Sequence, residues 1–207
     1  IADPVSRLAV QQSVPKWLVK AFIVQDGLPT ARKILAAINQ PAHVVVRVNP
    51  AVTTLAEVEN SLDQQGIEYR PSAIAPDALV ITKGEVLSSG LFEQGAITIQ
   101  DESAMLAVDS MQVQPGDRVL DACAAPGGKT VQIAAQLWNG QVDALDIHQH
   151  KTRLIQKNAR RLHVADRVVT HTLDARHVDE EFADESFDKI LVDAPCSGIG
   201  LLRRKPE

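Results

Sequence analysis

The sequence contains little cysteine and few aromatic side chains. Its 207 residues include two cysteines, and aromatic residues make up 3% of the chain. Cys123 and Cys196 lie in different motifs, so we expect free thiols in a reducing, cytoplasmic compartment rather than a disulfide. Because no run of about 18 apolar residues is present, we expect no membrane-spanning helix. The chain begins without a signal-peptide pattern and without Met, so we expect a fragment or a processed chain.

Basic charge is also scarce. The formal net charge is −5, so any binding of RNA must depend on local patches of cations. One candidate patch consists of Lys151, Arg153, Lys157, Arg160, Arg161 and Arg167, and a second consists of Arg203, Arg204 and Lys205. For the first group, the solvated face of a helix is the favoured interpretation.

The first half of the chain predicts a small α/β unit. A helical segment has Pro29 near its first turn, where the missing N–H of proline costs nothing. Residues 43–48 and 78–82 are rich in β-branched side chains and predict strands. Between them, Thr54 and Glu57 have the spacing of a capping box that opens a helix.

From residue 115 onward, strands and helices alternate regularly. Four strands are predicted in the segments PGDRVLDACA, GQVDALDIH, DRVVTHTLDA and FDKILVDAP. Helical crossovers between strands indicate a parallel sheet, and ligands bind such sheets at the carboxyl ends of the strands. We therefore predict two domains, a small α/β domain with N-terminal linker helices at residues 1–97 and a larger domain at residues 98–207.

The segment VLDACAAPGGKT, residues 119–130, joins the first of these strands to a helix. Its GKT ending fits a Walker A loop, but Cys123 occupies the position of the first glycine, which weakens an ATPase interpretation. The dinucleotide motif GxGxxG also fails, because Gly127 and Gly128 are adjacent. The backbone N–H groups at the start of the helix could still bind an anion, and a carboxylate would satisfy them as well as a phosphate.

Two aspartates at predicted strand ends suggest which ligand binds. Asp146 ends the second strand, where a carboxylate can accept both hydroxyls of a ribose, although it could instead cap the following helix. Asp174 ends the third strand and would lie near an adenine, or serve as a capping or turn residue. A ligand with a ribose, an amino-acid carboxylate and no phosphate is S-adenosylmethionine.

The segment LVDAPCSGIG places Asp193, Pro195 and Cys196 at the carboxyl end of the fourth strand. A buried cysteine is usually inert, but a cysteine in a loop rich in Gly and Ser after a parallel strand is placed for chemistry.

These two motifs resemble the Nol1/Nop/Sun family of RNA cytosine-5 methyltransferases. DACAAPGGKT and DAPCSGIG carry the resemblance, and RVNP, GLFEQGAITIQDESAMLA and LLRRKPE are also similar to that family. The likeness is greatest to Sun-type bacterial enzymes of 16S ribosomal RNA and extends from about residue 14 onward. It implies a Rossmann-like sheet that binds S-adenosylmethionine, truncated after the fourth strand and preceded by a small RNA-binding α/β unit.

The resemblance also implies roles for individual residues. The expected cofactor contacts are Cys123, Ala124, Ala125, Pro126, Gly127, Gly128, Lys129, Asp146, Asp174 and Asp193. Cys123 itself is interpreted as a packing residue of the loop. Pro195 is expected to border the target base, and Arg47 to contact the substrate. The implied partner is small-subunit ribosomal RNA, with no metal and no membrane, and we expect a monomer.

The family chemistry requires a thiolate that adds to C6 of cytosine, so that C5 can attack the methyl group before the C5 proton and the thiolate leave. The resemblance places this nucleophile in a Thr-Cys motif beyond Glu207, and assigns to Cys196 the breakdown of the covalent adduct. We therefore expect residues 1–207 alone to be inactive. A catalytically silent RNA-binding module and a nucleotide-dependent ATPase are the alternatives.

Overall fold

The computed structural model describes residues 3–40 and 43–196. These residues divide into two compact units, one formed by residues 3–40 together with Cys196, and one formed by residues 43–195. The second unit contains two separate four-stranded sheets, one antiparallel and one parallel. Within the described ranges, no helix is both long enough and apolar enough to cross a membrane.

The first unit is a pair of helices, α1 (Pro4–Gln11) and α2 (Lys16–Ile38). Asp3 caps α1, because its carboxylate accepts hydrogen bonds from two backbone N–H groups of the first turn. A non-helical residue, Gly27 with φ of 77°, divides α2, and Pro29 follows in the first turn of the second half. The predicted placement of Pro29 at a helix start is therefore confirmed.

The antiparallel sheet lies within residues 43–99 and has the strand order β2-β3-β1-β4. Its elements are β1 (Val44–Val48), α3 (Leu55–Gln64), β2 (Glu68–Pro71), β3 (Ala78–Lys83) and β4 (Ile97–Ile99). The predicted capping box opens α3: Glu57 accepts a hydrogen bond from the N–H of Thr54 at 2.9 Å, and Thr54 Oγ1 accepts one from the N–H of Glu57. The strand β2 was not predicted, because its EYRP sequence is largely exposed and has no apolar alternation.

The parallel sheet follows, with the strand order β7-β6-β5-β8. Its elements are α4 (Glu102–Asp109), β5 (Arg118–Asp121), α5 (Gly128–Gln136), β6 (Gln141–Asp146), α6 (Gln149–Arg161), β7 (Val168–Thr172) and β8 (Lys189–Leu191). The four predicted strands and their parallel pairing are confirmed. From β5 the chain adds β6 and β7 on one side of the sheet and then returns to place β8 on the other side of β5. This change of direction makes a switch point at the carboxyl ends of β5 and β8.

The two sheets of the second unit are joined by direct contacts. Arg161 at the end of α6 donates hydrogen bonds to the carbonyls of Phe92 and Ile97 and to Thr98 Oγ1. Its guanidinium also lies 3.7 Å from the centroid of the Phe92 ring, which adds a cation–π contact. The strand β4 pairs with β1 in the antiparallel sheet across residues 97–99, and the domain division after residue 97 stays a prediction.

Candidate functional site

The loop between β5 and α5 contains two adjacent glycines with different surroundings. Gly127 is the N-cap of α5 and has φ of +102°, a conformation that residues with a Cβ rarely adopt. A Cβ at Gly127 would lie 3.1 Å from the Cα of Ile155 in α6, whereas a Cβ at Gly128 would meet nothing within 4 Å. Gly127 is therefore required by helix packing, and Gly128 leaves open space at the start of α5.

That open space belongs to a cavity of about 160 Å³ at the carboxyl ends of β5 and β8, which we call the strand-end pocket. It is lined by Gln100, Ala104, Asp121, Cys123, Ala124, Ala125, Pro126, Gly128, Lys129 and Asp193. The pocket thus brings together seven of the ten predicted cofactor contacts, from two segments that are far apart in the sequence.

Asp121 is the buried acid of the strand-end pocket. Its side chain is 1% exposed and accepts a hydrogen bond from Thr130 Oγ1 at 2.7 Å. Burial raises the pKa of Asp121 to about 6, against the opposing effect of the hydrogen bonds from Thr130 and the N–H of Cys123. A carboxyl group with this pKa titrates close to neutral pH, which is typical of residues at functional sites.

Lys129 and Asp193 form an ion pair across the mouth of the pocket. The Nζ atom of Lys129 lies 2.6 Å from Oδ2 of Asp193, and the lysine side chain is 22% exposed. The family resemblance implies that Lys129 contacts the cofactor. In the structure the ammonium is bound to a carboxylate that follows β8, and the contact of Lys129 with the cofactor stays a prediction.

Cys123 lies half-buried in the wall of the pocket. Burial raises the pKa of its thiol, and the negative charges of Asp121, Asp146, Asp193 and Asp174 raise it further. The thiol is therefore neutral at physiological pH and a poor nucleophile, which agrees with its interpretation as a packing residue.

Asp146 ends β6, as predicted, and its two oxygen atoms have different surroundings. Oδ1 accepts a hydrogen bond from the N–H of His148 at 2.9 Å, and Oδ2 lies 3.9 Å from Nζ of Lys151. The N-cap of α6 is His148 rather than Asp146, so Asp146 is not the capping residue of that helix. Asp146 does not line the strand-end pocket, and its contact with ribose hydroxyls stays a prediction.

Asp174 follows β7 and is bound locally. It caps a short 3-10 helix by accepting a hydrogen bond from the N–H of Arg176, and it binds the Arg176 guanidinium through both oxygens. The side-chain hydrogen bonds from Arg176 hold the pKa of Asp174 far below its usual range. The capping alternative is therefore present in the structure, and the contact of Asp174 with an adenine stays a prediction.

The three residues predicted to act on the substrate lie in different places. Arg47 is in β1 and only 3% exposed, with its Nε bonded to Gln100 Oε1 at 2.9 Å. Its burial leaves almost no surface for a direct contact with RNA, and that contact stays a prediction. Pro195 and Cys196 are exposed, and Cys196 groups with the helical unit. The candidate cations Arg203, Arg204 and Lys205 lie outside the described residues.

Sequence reasoning missed three lining residues of the strand-end pocket: Gln100, Ala104 and Asp121. Asp121 had a detectable signal, because it is an acid at the end of a predicted apolar strand, directly before the loop. Gln100 and Ala104 had none, because they reach the pocket from the segment after β4 and from α4 through tertiary packing.

Two family models match the chain. The model described as 16S rRNA methyltransferase RsmB/F matches residues 108–207. The model described as Methyltr_RsmF/B-like, ferredoxin-like domain matches residues 14–86. The first match contains the parallel sheet, and the second contains the strands β1, β2 and β3 of the antiparallel sheet.

Individual proteins and solved structures are also similar. The chain is 43% identical, over 208 residues, to the probable ribosomal RNA small subunit methyltransferase B of Bacillus subtilis, with 100% of this chain and 46% of that protein covered. It is 36% identical to ribosomal RNA small subunit methyltransferase B of Vibrio cholerae, with 100% of this chain and 47% of that protein covered. It resembles the crystal structure of a methyltransferase homolog protein from Pyrococcus horikoshii, with a TM-score of 0.87 and 27% identity. That match covers 99% of this chain and 67% of the Pyrococcus chain. The chain spans about half the length of the curated relatives that it matches.

Proposed function

We propose that this chain, which belongs to the Nol1/Nop/Sun family, is the cofactor-binding part of an RNA methyltransferase that forms 5-methylcytosine in small-subunit ribosomal RNA. The strand-end pocket would hold S-adenosylmethionine, which supplies the methyl group from its sulfonium. The ribosomal substrate is suggested by the names of the relatives from Bacillus subtilis and Vibrio cholerae.

The balance of charge at the pocket carries the proposal of this cofactor. Two acids line the pocket, Asp121 and Asp193, whereas Asp146 and Asp174 act on the Cys123 thiol from outside the lining and lie beside Lys151 and Arg176. Among the residues that line the pocket, the cation is Lys129, and it is already paired with Asp193. A nucleoside triphosphate would be repelled by this arrangement, whereas a ligand with a sulfonium and an ammonium group would be attracted.

Each element of the site would have a distinct part in binding. Oδ2 of Asp146 would accept hydrogen bonds from the ribose hydroxyls. The N–H groups at the start of α5 would bind the carboxylate of the methionine part, since the N-terminus of a helix favours an anion. The open space beside Gly128 would let the ligand approach the backbone there.

The chemistry at the base would depend on residues that follow β8. We propose that Asp193 and Pro195 border the target cytosine and that Cys196 assists the breakdown of the covalent adduct. Catalysis would further require the Thr-Cys nucleophile that the family resemblance places beyond Glu207. In this proposal the chain binds the cofactor and does not complete the reaction by itself.

Calorimetry of the purified chain with S-adenosylmethionine, and separately with ATP and magnesium, tests the proposal. We expect binding of S-adenosylmethionine alone. Binding of ATP alone would support the ATPase alternative. Binding of neither ligand would contradict the proposed cofactor site and favour a silent RNA-binding module.

A further inference from the structure

A chain of hydrogen bonds, buried except at its end on Asp109, runs from the antiparallel sheet to the wall of the strand-end pocket. Arg47 Nε donates to Gln100 Oε1 at 2.9 Å, and Gln100 Nε2 donates to Gln132 Oε1 at 2.6 Å. Gln132 Nε2 then donates to Asp109 Oδ1 at 3.1 Å and to the carbonyl of Met105 at 3.2 Å. We call Arg47, Gln100, Gln132 and Asp109 the amide chain.

The ends of the amide chain determine the orientation of both amides. A guanidinium can only donate hydrogen bonds, so Gln100 must turn its oxygen toward Arg47 and its nitrogen toward Gln132. The carboxylate of Asp109 only accepts, so Gln132 must turn its nitrogen toward Asp109. Without Arg47, Gln100 would lose the donor to its buried oxygen, while its nitrogen would still donate to Gln132.

The cost of burying Arg47 suggests that the residue has a role beyond filling space. Its neighbours in β1, Val46 and Val48, are core residues, and the Arg47 side chain is as buried as they are. Burial lowers the pKa of Arg47 to about 10, so the guanidinium stays charged at neutral pH. A buried charge is costly even with acids nearby, here Asp77 and Asp109, and an apolar residue would fill the same space at lower cost.

The amide chain reaches two walls of the strand-end pocket. Gln100 itself lines the pocket from the segment between β4 and α4. Gln132 lies one turn after Gly128 on α5, the helix whose first residues line the opposite side. A change at Arg47 would therefore remove the donor to Gln100 Oε1 and weaken the hold of this chain of hydrogen bonds on Gln100 in the wall and on Gln132 in α5.

We propose that Arg47 is a positioning residue for the ligand of the strand-end pocket, acting through Gln100 and Gln132 from the antiparallel sheet. Arg47 touches no ligand in this proposal. It fixes one wall of the pocket relative to the loop that precedes α5. The inference rests on the proposed function, because it takes S-adenosylmethionine as the ligand.

Calorimetry with S-adenosylmethionine on Arg47→Met, Gln132→Met and the double variant tests the inference. We expect each single variant to weaken binding by about tenfold, the effect of one lost hydrogen bond in the pocket wall. The double variant should also lose about tenfold, since residues of one chain are not independent. A product of the two single effects, about a hundredfold, would contradict action through a shared chain.

Arg161→Met is the matched control. Arg161 also joins the antiparallel sheet to the parallel one, but it does so from the end of α6 and does not line the strand-end pocket. We expect it to lower the unfolding temperature and leave the dissociation constant of the folded protein unchanged. If Arg161→Met and Arg47→Met weaken binding equally, the effect is general loosening of the sheets, and the inference is wrong.

The remaining outcomes are also decisive. If Arg47→Met does not fold, Gln132→Met alone carries the test, and unchanged affinity in that variant overturns the inference. If the unmutated chain binds S-adenosylmethionine and both single variants bind it equally well, the inference fails while the proposed function stands. If the unmutated chain binds none, the proposed function fails, and the inference fails with it.

Discussion

Lys129 on the first turn of α5 and Asp193 after β8 are joined by an ion pair of 2.6 Å, which closes one side of the strand-end pocket. A lysine in the first turn of a helix is mildly unfavourable, because the positive end of the helix dipole repels it. The carboxylate of Asp193 offsets that repulsion. The pair also holds the segment after β8, which leads to Cys196, against the loop that follows β5.

The ion pair predicts coupled effects on the ligand. We expect Lys129→Met and Asp193→Asn each to weaken the binding of S-adenosylmethionine by about tenfold, and the double variant to lose little more. Calorimetry on the four proteins measures the coupling. Lys83→Met is the control, because Lys83 forms an exposed ion pair with Glu68 outside the pocket. Unchanged affinity in Lys129→Met would leave only the backbone amides to bind the carboxylate.

Asp146→Ala should weaken the binding of S-adenosylmethionine by removing the acceptor for the ribose hydroxyls. Losing a charged acceptor costs about 1.5–3 kcal/mol, or roughly tenfold to a hundredfold in affinity. Asp184→Ala removes an exposed acid outside the pocket and should have no effect. An unchanged dissociation constant in a folded Asp146→Ala protein would contradict the assignment of Asp146 to the ribose hydroxyls.

The two glycines of the loop predict opposite results. Gly127→Ala should destabilise the fold by about 1–3 kcal/mol, because alanine is strained at positive φ and its Cβ would press on the backbone of α6. Gly128→Ala should leave the free energy of unfolding nearly unchanged, because its Cβ enters open space. It should weaken the binding of S-adenosylmethionine if that space holds the ligand. Denaturant unfolding and calorimetry measure the two quantities, and equal destabilisation by both variants would contradict the packing argument.

The raised pKa of Asp121 predicts a dependence of stability on pH. Because the folded-state value of about 6 exceeds the ordinary 3.8, the folded protein binds more protons than the unfolded chain between these values. The contribution of Asp121 to stability therefore falls as the pH rises through this window and is constant above it. Asp121→Asn removes the titrating carboxyl group. The free energy of unfolding of this variant, relative to that of the unmutated chain, should therefore rise by up to about 3 kcal/mol between pH 4 and pH 6.5. Urea unfolding at several pH values checks this, and a constant difference would exclude an elevated pKa.

Cys196→Ser tests the proposed breakdown of the adduct. In a longer protein that contains this chain and the expected Thr-Cys motif, the variant should methylate its RNA once and retain it covalently. Denaturing gel electrophoresis after incubation with RNA and S-adenosylmethionine detects the complex. No trapped RNA would count against the assigned role. Residues 1–207 alone should trap nothing with either residue at position 196.

The sequence by itself determined the strands of the parallel sheet and their ligand-binding edge. The β-branched segments and the intervening amphipathic helices are local patterns, and a helical crossover leaves parallel pairing as the natural arrangement. The positions of the two glycines of the loop after β5, and of Asp146 at the end of β6, were also predicted, because they follow directly from the positions of the strands in the sequence. The capping box of α3 needed only Thr54 and Glu57, three residues apart.

Tertiary structure alone decided which side chains meet. Lys129 and Asp193 are 64 residues apart, and only the pairing of β5 with β8 brings them together. Arg47 was expected to contact the substrate, but packing of β1 between β3 and β4 buries it and makes it a donor to Gln100. Sequence patterns record the periodicity of each element, whereas burial and the partners of a polar group depend on what packs against that element from elsewhere in the chain.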